Sequence, residues 1–156
     1  MTSALNDVSL DQIFRSARTF NSWTDRPVKD ATVREIYDLM KWGPTSANSS
    51  PARLVWVRSA DGKATLAWLA AEPNKAKILR APVTVIVGHD LDFAAELPTL
   101  LTHPAQAMQQ YFAAPGMAEV TAMRNGTAAR CLSRRRCAGV GTGLRPHVGL
   151  RQRGRG

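Results

Sequence analysis

The stretch Lys41–Arg53 reads KWGPTSANSSPAR and determines how the rest of the chain is interpreted. Gly43 followed by Pro44 is a typical C-terminal signal, so a helix is predicted to end here. The segment Arg53–Ser59 (RLVWVRS) is rich in β-branched and aromatic residues, which predicts a strand immediately afterwards. The polar residues between them form either an ordinary surface connection or a binding loop held on rigid supports.

Helices are predicted on both sides of this loop. Capping-box pairs, Ser9 with Gln12 and Thr32 with Glu35, start two helices before it, and the first of these ends near residues 18–19. After the strand come a turn at 61–62, helices at 63–71, 75–80, 105–113 and 117–127, and a buried strand at 83–88 (VTVIVG). Helices alternating with two strong strands predict an α/β or α+β domain.

The net charge of +9 is concentrated at one end of the chain. Residues 1–127 hold 13 of the 21 basic residues and all 12 acidic ones, whereas residues 128–156 hold eight arginines and no acid. From Ala128 the helical pattern stops, which predicts a disordered basic segment. One function of another class, nucleic-acid binding through this arginine-rich tail, remains an alternative because arginine binds phosphate. The nearly neutral body does not favour it.

Several other classes of protein are not favoured. No apolar run reaches the roughly eighteen residues of a membrane helix, and the N-terminus MTSALNDVSLDQ lacks a signal core, so we expect a cytoplasmic protein without membrane contact. Cys131 and Cys137 have no convincing ligand pair beside them, so no metal site is predicted, although a disulfide stays open. His89 and His103 are interpreted as strand-end and loop residues, and the four tryptophans as packing residues.

The order of motifs resembles the nitroreductase family. Arg18-Thr19 is followed by Asp25–Val28 (DRPV), by a helix, and then by the loop with Gly-Pro-Thr-Ser-x-Asn and a later proline. More narrowly, KWGPTSAN with SPAR in Lys41–Arg53 resembles the malonic semialdehyde reductase branch. The resemblance runs from about Leu10 to Thr127. It implies an α+β fold with a mixed sheet flanked by helices, incomplete at the C-terminus.

The resemblance also implies a cofactor, FMN, with NADH or NADPH as electron donor. Arg18 matches the first arginine of the family's Arg-Ser-x-Arg motif, which holds the FMN phosphate through a charge-assisted fork. Thr19 matches the serine of that motif. Asn21 stands where many relatives have the second basic residue, and a neutral side chain there weakens the phosphate contact.

The loop matches the family's flavin-ring segment. By the resemblance, Pro44, Thr45, Ser46 and Asn48 line the isoalloxazine ring, with Asn48 as the main side-chain contact to its reactive edge. Ser50 replaces a glutamine that is common elsewhere in the family. The flavin carries out the hydride transfer, so the protein contributes orientation and electrostatics, and no residue of its own is predicted to be catalytic.

The resemblance further implies a homodimer that acts on a small molecule and not on nucleic acid. The implied reaction is the reduction of malonic semialdehyde to 3-hydroxypropanoate in the degradation of pyrimidines such as uracil. The alternative within the family is a reductase of nitroaromatic compounds or quinones. In this family the dimer interface builds the flavin site.

The C-terminal residues resemble an out-of-frame translation. If the frame moves forward by one base from Ala128, third bases chosen with the family in mind give LQGAYLVAAARALGLDCGPMSGFDNAGV, which resembles the next stretch of this branch. We therefore expect a one-base insertion near Thr127, with 1–127 the N-terminal part of a nitroreductase-like domain and 128–156 an out-of-frame tail. Such a chain should dimerise poorly and bind FMN weakly or not at all.

Overall fold

The computed structural model describes residues 4–16 and 18–139, which form mainly helices and two strands. The α-helices are α1 (Asp7–Leu10), α2 (Asp30–Met40), α3 (Ala60–Leu69), α4 (Glu72–Arg80), α5 (Leu97–Leu100), α6 (Ala105–Phe112) and α7 (Met117–Gly139). The strands β1 (Ala52–Val57) and β2 (Thr84–His89) pair in a two-stranded sheet. A π-helical turn lies at Asp11–Arg15, and 3-10 turns lie at Ser46–Asn48 and Phe93–Glu96. The predicted α+β class is confirmed.

The chain forms two compact units. The first comprises the described residues of Met1–Val33, Trp56–Val85 and Arg134–Gly156, and the second comprises Arg34–Val55 and Ile86–Ser133. The polar loop lies entirely in the second unit, together with α5 and α6.

In the first unit, α3 and α4 pack against each other through a short apolar contact. Leu66, Ala67 and Ile78 are buried between them, and Lys63 Nζ donates to two carbonyls at the end of α4. The predicted turn at 61–62 is wrong, because Ser59 caps α3 and accepts a hydrogen bond from the Gly62 amide (3.2 Å). This cap draws both residues into the first turn of the helix.

The core of the second unit includes two residues, Phe93 and Leu97, from a segment where the sequence predicted no element. Phe93 and Leu97 are fully buried, and Phe112 and Ala122 complete the cluster. The rings of Phe93 and Phe112 meet edge to face, with centroids 4.9 Å apart and planes at 74°, a favourable aromatic geometry. Ala47, from the polar loop, packs against this cluster, so the loop is joined to the core.

The strands lie close to the predicted positions, but β2 is half-buried and not buried. The Asp90 amide donates to the Pro51 carbonyl, and Gly88 lies against the Arg53 carbonyl. The paired positions therefore run forward along β1 and backward along β2, so the strands are antiparallel. Among the described residues β2 pairs with β1 alone, which leaves its side chains partly open to solvent.

Two predicted helix starts are wrong. The first helix starts at Asp7, because Asn6 Oδ1 accepts a hydrogen bond from the Ser9 amide (2.9 Å) and thereby takes the capping role predicted for Ser9. Helix α2 starts at Asp30, two residues before Thr32, with an acidic side chain in its first turn, where the helix dipole favours negative charge.

Helix α7 continues to Gly139, so the predicted helix end at Thr127 is wrong and the helix includes the first residues of the predicted tail. The sequence Ala128–Gly139 is rich in alanine and arginine and has no proline. These residues have high intrinsic helix propensity, which does not require an apolar stripe. The division at 127/128 stays a prediction, and its residues 140–156 lie outside the described part of the chain.

The contact of β2 with α7 gives a first test of this fold. His89 Nδ1 donates to the Ala122 carbonyl (2.8 Å), and a Cβ added at Gly126 would lie 2.8 Å from the same ring. We expect Gly126→Ala to lower the free energy of unfolding by about 1–2 kcal/mol, because the ring must leave its place.

The matched background is His89→Ala. With the ring removed, Gly126→Ala should raise the free energy of unfolding by about 0.5–1 kcal/mol, since alanine is the better helix former. Urea unfolding of the four proteins measures both values. The same sign in both backgrounds would contradict the described contact.

Candidate functional site

The polar loop borders a cavity of about 300 Å³ in the second unit, a size at the lower end for small-molecule sites. Its wall contains apolar side chains, hydroxyl groups and charged groups. It is lined by Tyr37, Met40, Lys41, Gly43, Pro44, Thr45, Ser49, Ser50, Pro51, Ala52, Arg53, Glu96, Leu100, Asn125 and Ala129. The mixture suits a flat apolar ligand with a polar rim.

The loop has an unusual backbone. Ala47, Asn48 and Ser50 have φ values of 50°, 49° and 39°, in the left-handed region. Residues other than glycine adopt this region at a cost of about 1–2 kcal/mol each, with asparagine the best tolerated. Strained backbone of this kind concentrates at binding and catalytic sites.

Hydrogen bonds from several elements hold the loop in this form. The Ser46 amide donates to Asn125 Oδ1 on α7 (3.0 Å), and Asn48 Nδ2 donates to the Leu100 carbonyl on α5 (2.9 Å). Within the loop, the Ser50 amide donates to Thr45 Oγ1 (3.1 Å). The surroundings therefore fix the strained conformation.

Ser49 is the most deeply buried polar residue of the cavity wall, with 1% of its surface exposed. Among the described residues, its Oγ has no hydrogen-bond partner. Leaving a buried hydroxyl unsatisfied costs about 1–3 kcal/mol. A polar atom of a bound molecule in the cavity would remove that cost.

The two cations of the cavity wall are both paired with carboxylates. Arg53 forms a salt bridge with Asp90 and also donates to the Ser50 carbonyl (2.9 Å), so it ties the end of the loop to the end of β2. Lys41 Nζ lies 2.7 Å from the Asp38 carboxylate, and this hydrogen bond raises the pKa of Lys41. Lys41 is therefore protonated at neutral pH.

The predicted site residues fall into three sets. Pro44 and Thr45 line the cavity, whereas Ser46 and Asn48 are exposed in the 3-10 turn beside it. The third set consists of Arg18, Thr19 and Asn21, which belong to the first unit and are exposed. There, Arg18 Nη1 donates to the Arg15 carbonyl (2.9 Å).

Sequence reasoning missed Asn125 and Leu100 as parts of this site. An asparagine inside a helix is a weak signal, because its side chain favours local hydrogen bonds that compete with the helix. Here Asn125 Nδ2 does bond the Thr121 carbonyl one turn earlier (2.8 Å). Leu100 contributes its backbone carbonyl, which no residue type reveals.

The remaining candidates have mostly structural positions. His89 contacts α7 at the end of its strand, and His103 is exposed. The packing predicted for all four tryptophans is wrong for Trp42, which is 78% exposed, and for Trp68, which is 64% exposed.

In the part of the chain that the structure describes, no three His, Cys, Asp or Glu residues gather as metal ligands. No described helix has the length and apolarity to cross a membrane.

Two relatives are about half identical in sequence to most of this chain. A protein named for an inferred NADH dehydrogenase/NAD(P)H nitroreductase activity, from Xanthomonas oryzae pv. oryzae (strain PXO99A), is 54% identical over 129 residues, which are 81% of this chain and 64% of that protein. A protein of the same name from Caulobacter sp. (strain K31) is 50% identical over 121 residues, 78% of this chain and 62% of that protein. The chain thus spans less than two thirds of their length.

Solved structures share the fold at low sequence identity. An inferred nitroreductase in complex with FMN, from Exiguobacterium sibiricum 255-15, has a TM-score of 0.82 and 18% identity over 97% of this chain and 79% of its own. An inferred NAD(P)H:FMN oxidoreductase from Staphylococcus epidermidis ATCC 12228 has a TM-score of 0.79 and 14% identity over 96% and 77%. No family model matches the sequence. This chain is therefore similar in sequence to proteins named as NAD(P)H nitroreductases, and it shares the fold of solved nitroreductase structures.

Proposed function

We propose that the protein is an FMN-dependent NAD(P)H oxidoreductase. The observation that carries this proposal is the strained loop Pro44–Ser50, which borders a cavity and is tied to α5 and α7. The names of the relatives, which include NAD(P)H nitroreductase, support the electron donor. The FMN complex among the structural neighbours supports the cofactor.

The residues around the cavity fit a flavin ring. Met40, Pro51 and Leu100 offer apolar surface of the kind that an aromatic plane covers. Thr45 and Ser49 offer hydroxyl groups to a polar rim, and the Ser49 Oγ is buried without a partner. This fit concerns the flavin ring only. The phosphate needs cationic donors of its own, because the two cations of the cavity wall are already paired with carboxylates.

For the phosphate we propose Arg18, with Thr19 and Asn21 as weaker neutral partners. Arginine presents paired N–H donors that match the oxygens of a phosphate, and the charge strengthens each hydrogen bond. When bound, FMN would supply the hydride-transfer chemistry between the nicotinamide and the acceptor. The chain itself binds, orients and shields, and we assign no catalytic side chain.

The narrower proposal is that the acceptor is malonic semialdehyde, which is reduced to 3-hydroxypropanoate in pyrimidine degradation. The loop sequence, with Ser50 where glutamine is common, supports this branch. The alternative acceptors are nitroaromatic compounds or quinones, and the nitroreductase names of the relatives support the first of these. We further propose a cytoplasmic homodimer, and that the protein with its frame restored at codon 128 is the active form.

Acceptor competition tests the narrower proposal. We expect the frame-restored protein, loaded with FMN, to oxidise NADH or NADPH with kcat/KM at least about tenfold higher for malonic semialdehyde than for a nitroaromatic or quinone acceptor, a difference of about 1.4 kcal/mol in transition-state binding. A higher kcat/KM for the nitroaromatic or the quinone would favour the alternative. The 156-residue chain is assayed beside it. The difference in activity measures the effect of restoring the sequence from residue 128 onward.

A further inference from the structure

Asn125 joins the longest helix to the loop that we assign to the flavin. Its side chain makes two hydrogen bonds with different roles. Nδ2 donates to the Thr121 carbonyl one helical turn earlier (2.8 Å), which fixes the orientation of the amide. Oδ1 is thereby turned outward and accepts a hydrogen bond from the Ser46 amide (3.0 Å).

The bonded partner explains why an asparagine is useful at this position. Ser46 starts the 3-10 turn Ser46–Asn48, and Thr45, which precedes that turn, makes no side-chain capping bond to it. The first amides of a helical turn have no partner within it. Asn125 supplies that partner from 79 positions away in the chain, and so caps the turn in place of a local residue.

We propose that Asn125 is a positioning residue for the flavin-binding loop, which it orders by holding the Ser46 amide; this inference rests on the proposed function. The next residues, Ala47 and Asn48, have positive φ values, so the turn depends on contacts from outside it. A consequence is that the Ser46 amide is committed to Asn125. Ser46 therefore has its side-chain hydroxyl, and not its backbone N–H, to offer a ligand.

Amide exchange on the 156-residue chain tests the ordering directly. Asn125→Ala removes both hydrogen bonds but keeps a good helix former, and we expect the Ser46 amide to exchange at least about tenfold faster. Asn125→Asp keeps an oxygen acceptor for Ser46 and should exchange within about threefold of the wild type. Arg124→Ala, on an exposed neighbour in α7, should leave the rate unchanged.

Internal amides show whether the fold survives the substitution. The Gly43 amide, bonded to the Met40 carbonyl, and the Ala113 amide, bonded to the Gln109 carbonyl, should keep their wild-type rates in every variant. An unchanged Ser46 rate in Asn125→Ala would overturn the inference. So would a Ser46 rate in Asn125→Asp that equals the rate in Asn125→Ala, or an equal acceleration of the Gly43 and Ala113 amides.

FMN affinity of the frame-restored protein separates this inference from the proposed function. We expect Asn125→Ala to weaken FMN binding about tenfold and Asn125→Asp to restore it, with no change in Arg124→Ala. Faster exchange at Ser46 with unaltered FMN affinity would overturn the role of Asn125 in flavin binding. A wild-type protein that binds no FMN would overturn the proposed function, while the exchange result would still decide whether Asn125 orders the loop.

Discussion

Phe93→Ala should lower the free energy of unfolding by about 3–5 kcal/mol, the range for removing a buried phenylalanine. Phe93 has no exposed surface and packs edge to face on Phe112, so the substitution removes an aromatic pair and leaves a cavity. Because Ala47 packs on the same cluster, the loop should loosen as well. Urea unfolding, followed by circular dichroism, measures the loss.

Phe20 provides the matched control, since its side chain is 53% exposed. Phe20→Ala should change the free energy of unfolding by no more than about 0.5 kcal/mol. Equal losses at the two positions would contradict the assignment of Phe93 to the centre of the core. A folded Phe93→Ala protein with wild-type stability would contradict it equally.

Arg18→Ala should weaken FMN binding by about 10-fold to 100-fold, the loss expected when a charge-assisted pair of hydrogen bonds to phosphate is removed. The measurement is a fluorescence titration of FMN with the frame-restored protein. The FMN affinity of Arg18→Lys should lie between those of the wild type and Arg18→Ala, because lysine keeps the charge but not the paired donors. These values follow from the phosphate role that we propose for Arg18.

Arg34 is the control for a general effect of charge, as it is an exposed arginine on α2. Arg34→Ala should bind FMN within about twofold of the wild type, because an exposed charge away from the phosphate is screened by salt. If Arg18→Ala also stays within that range, Arg18 does not hold the phosphate. If the two variants lose equally, the loss reflects net charge and not a site.

The sequence predicted several of the longer elements from their apolar pattern, although both capping-box helix starts were wrong. The helices 63–71 and 75–80 correspond to α3 and α4, and the strand at 53–59 corresponds to β1. The segment Phe93–Leu100 was missed because each of its elements has four residues, which is too short to show a helical period. Its two buried residues, Phe93 and Leu97, are nevertheless the centre of a core.

The loop was located from the sequence, but its conformation was not. Gly43 and Pro44 mark where it starts, whereas the positive φ values occur at Ala47, Asn48 and Ser50, where sequence gives little warning. These angles are imposed by contacts with α5, α7 and the core. Tertiary contacts of this kind join positions far apart in the chain, and a local pattern does not contain them.

The end of α7 shows a different limit of prediction from apolar periodicity. The missing apolar period after Thr127 predicted disorder, yet the backbone stays helical to Gly139. Helix propensity and amphipathic pattern are separate properties, and the alanine-rich and arginine-rich sequence has the first without the second. A segment of this kind forms a helix without indicating which face it would bury.

We propose that this chain is part of an FMN-dependent NAD(P)H oxidoreductase, and one paired titration tests this proposal most directly. FMN is added to the frame-restored protein and to the 156-residue chain, and NADH or NADPH is then added without oxygen. We predict one FMN per subunit in the first protein, bleached by the nicotinamide, and weak or no binding in the second. A frame-restored protein that binds no FMN would contradict the flavin assignment, and a 156-residue chain loaded one to one would contradict the expected loss of the site.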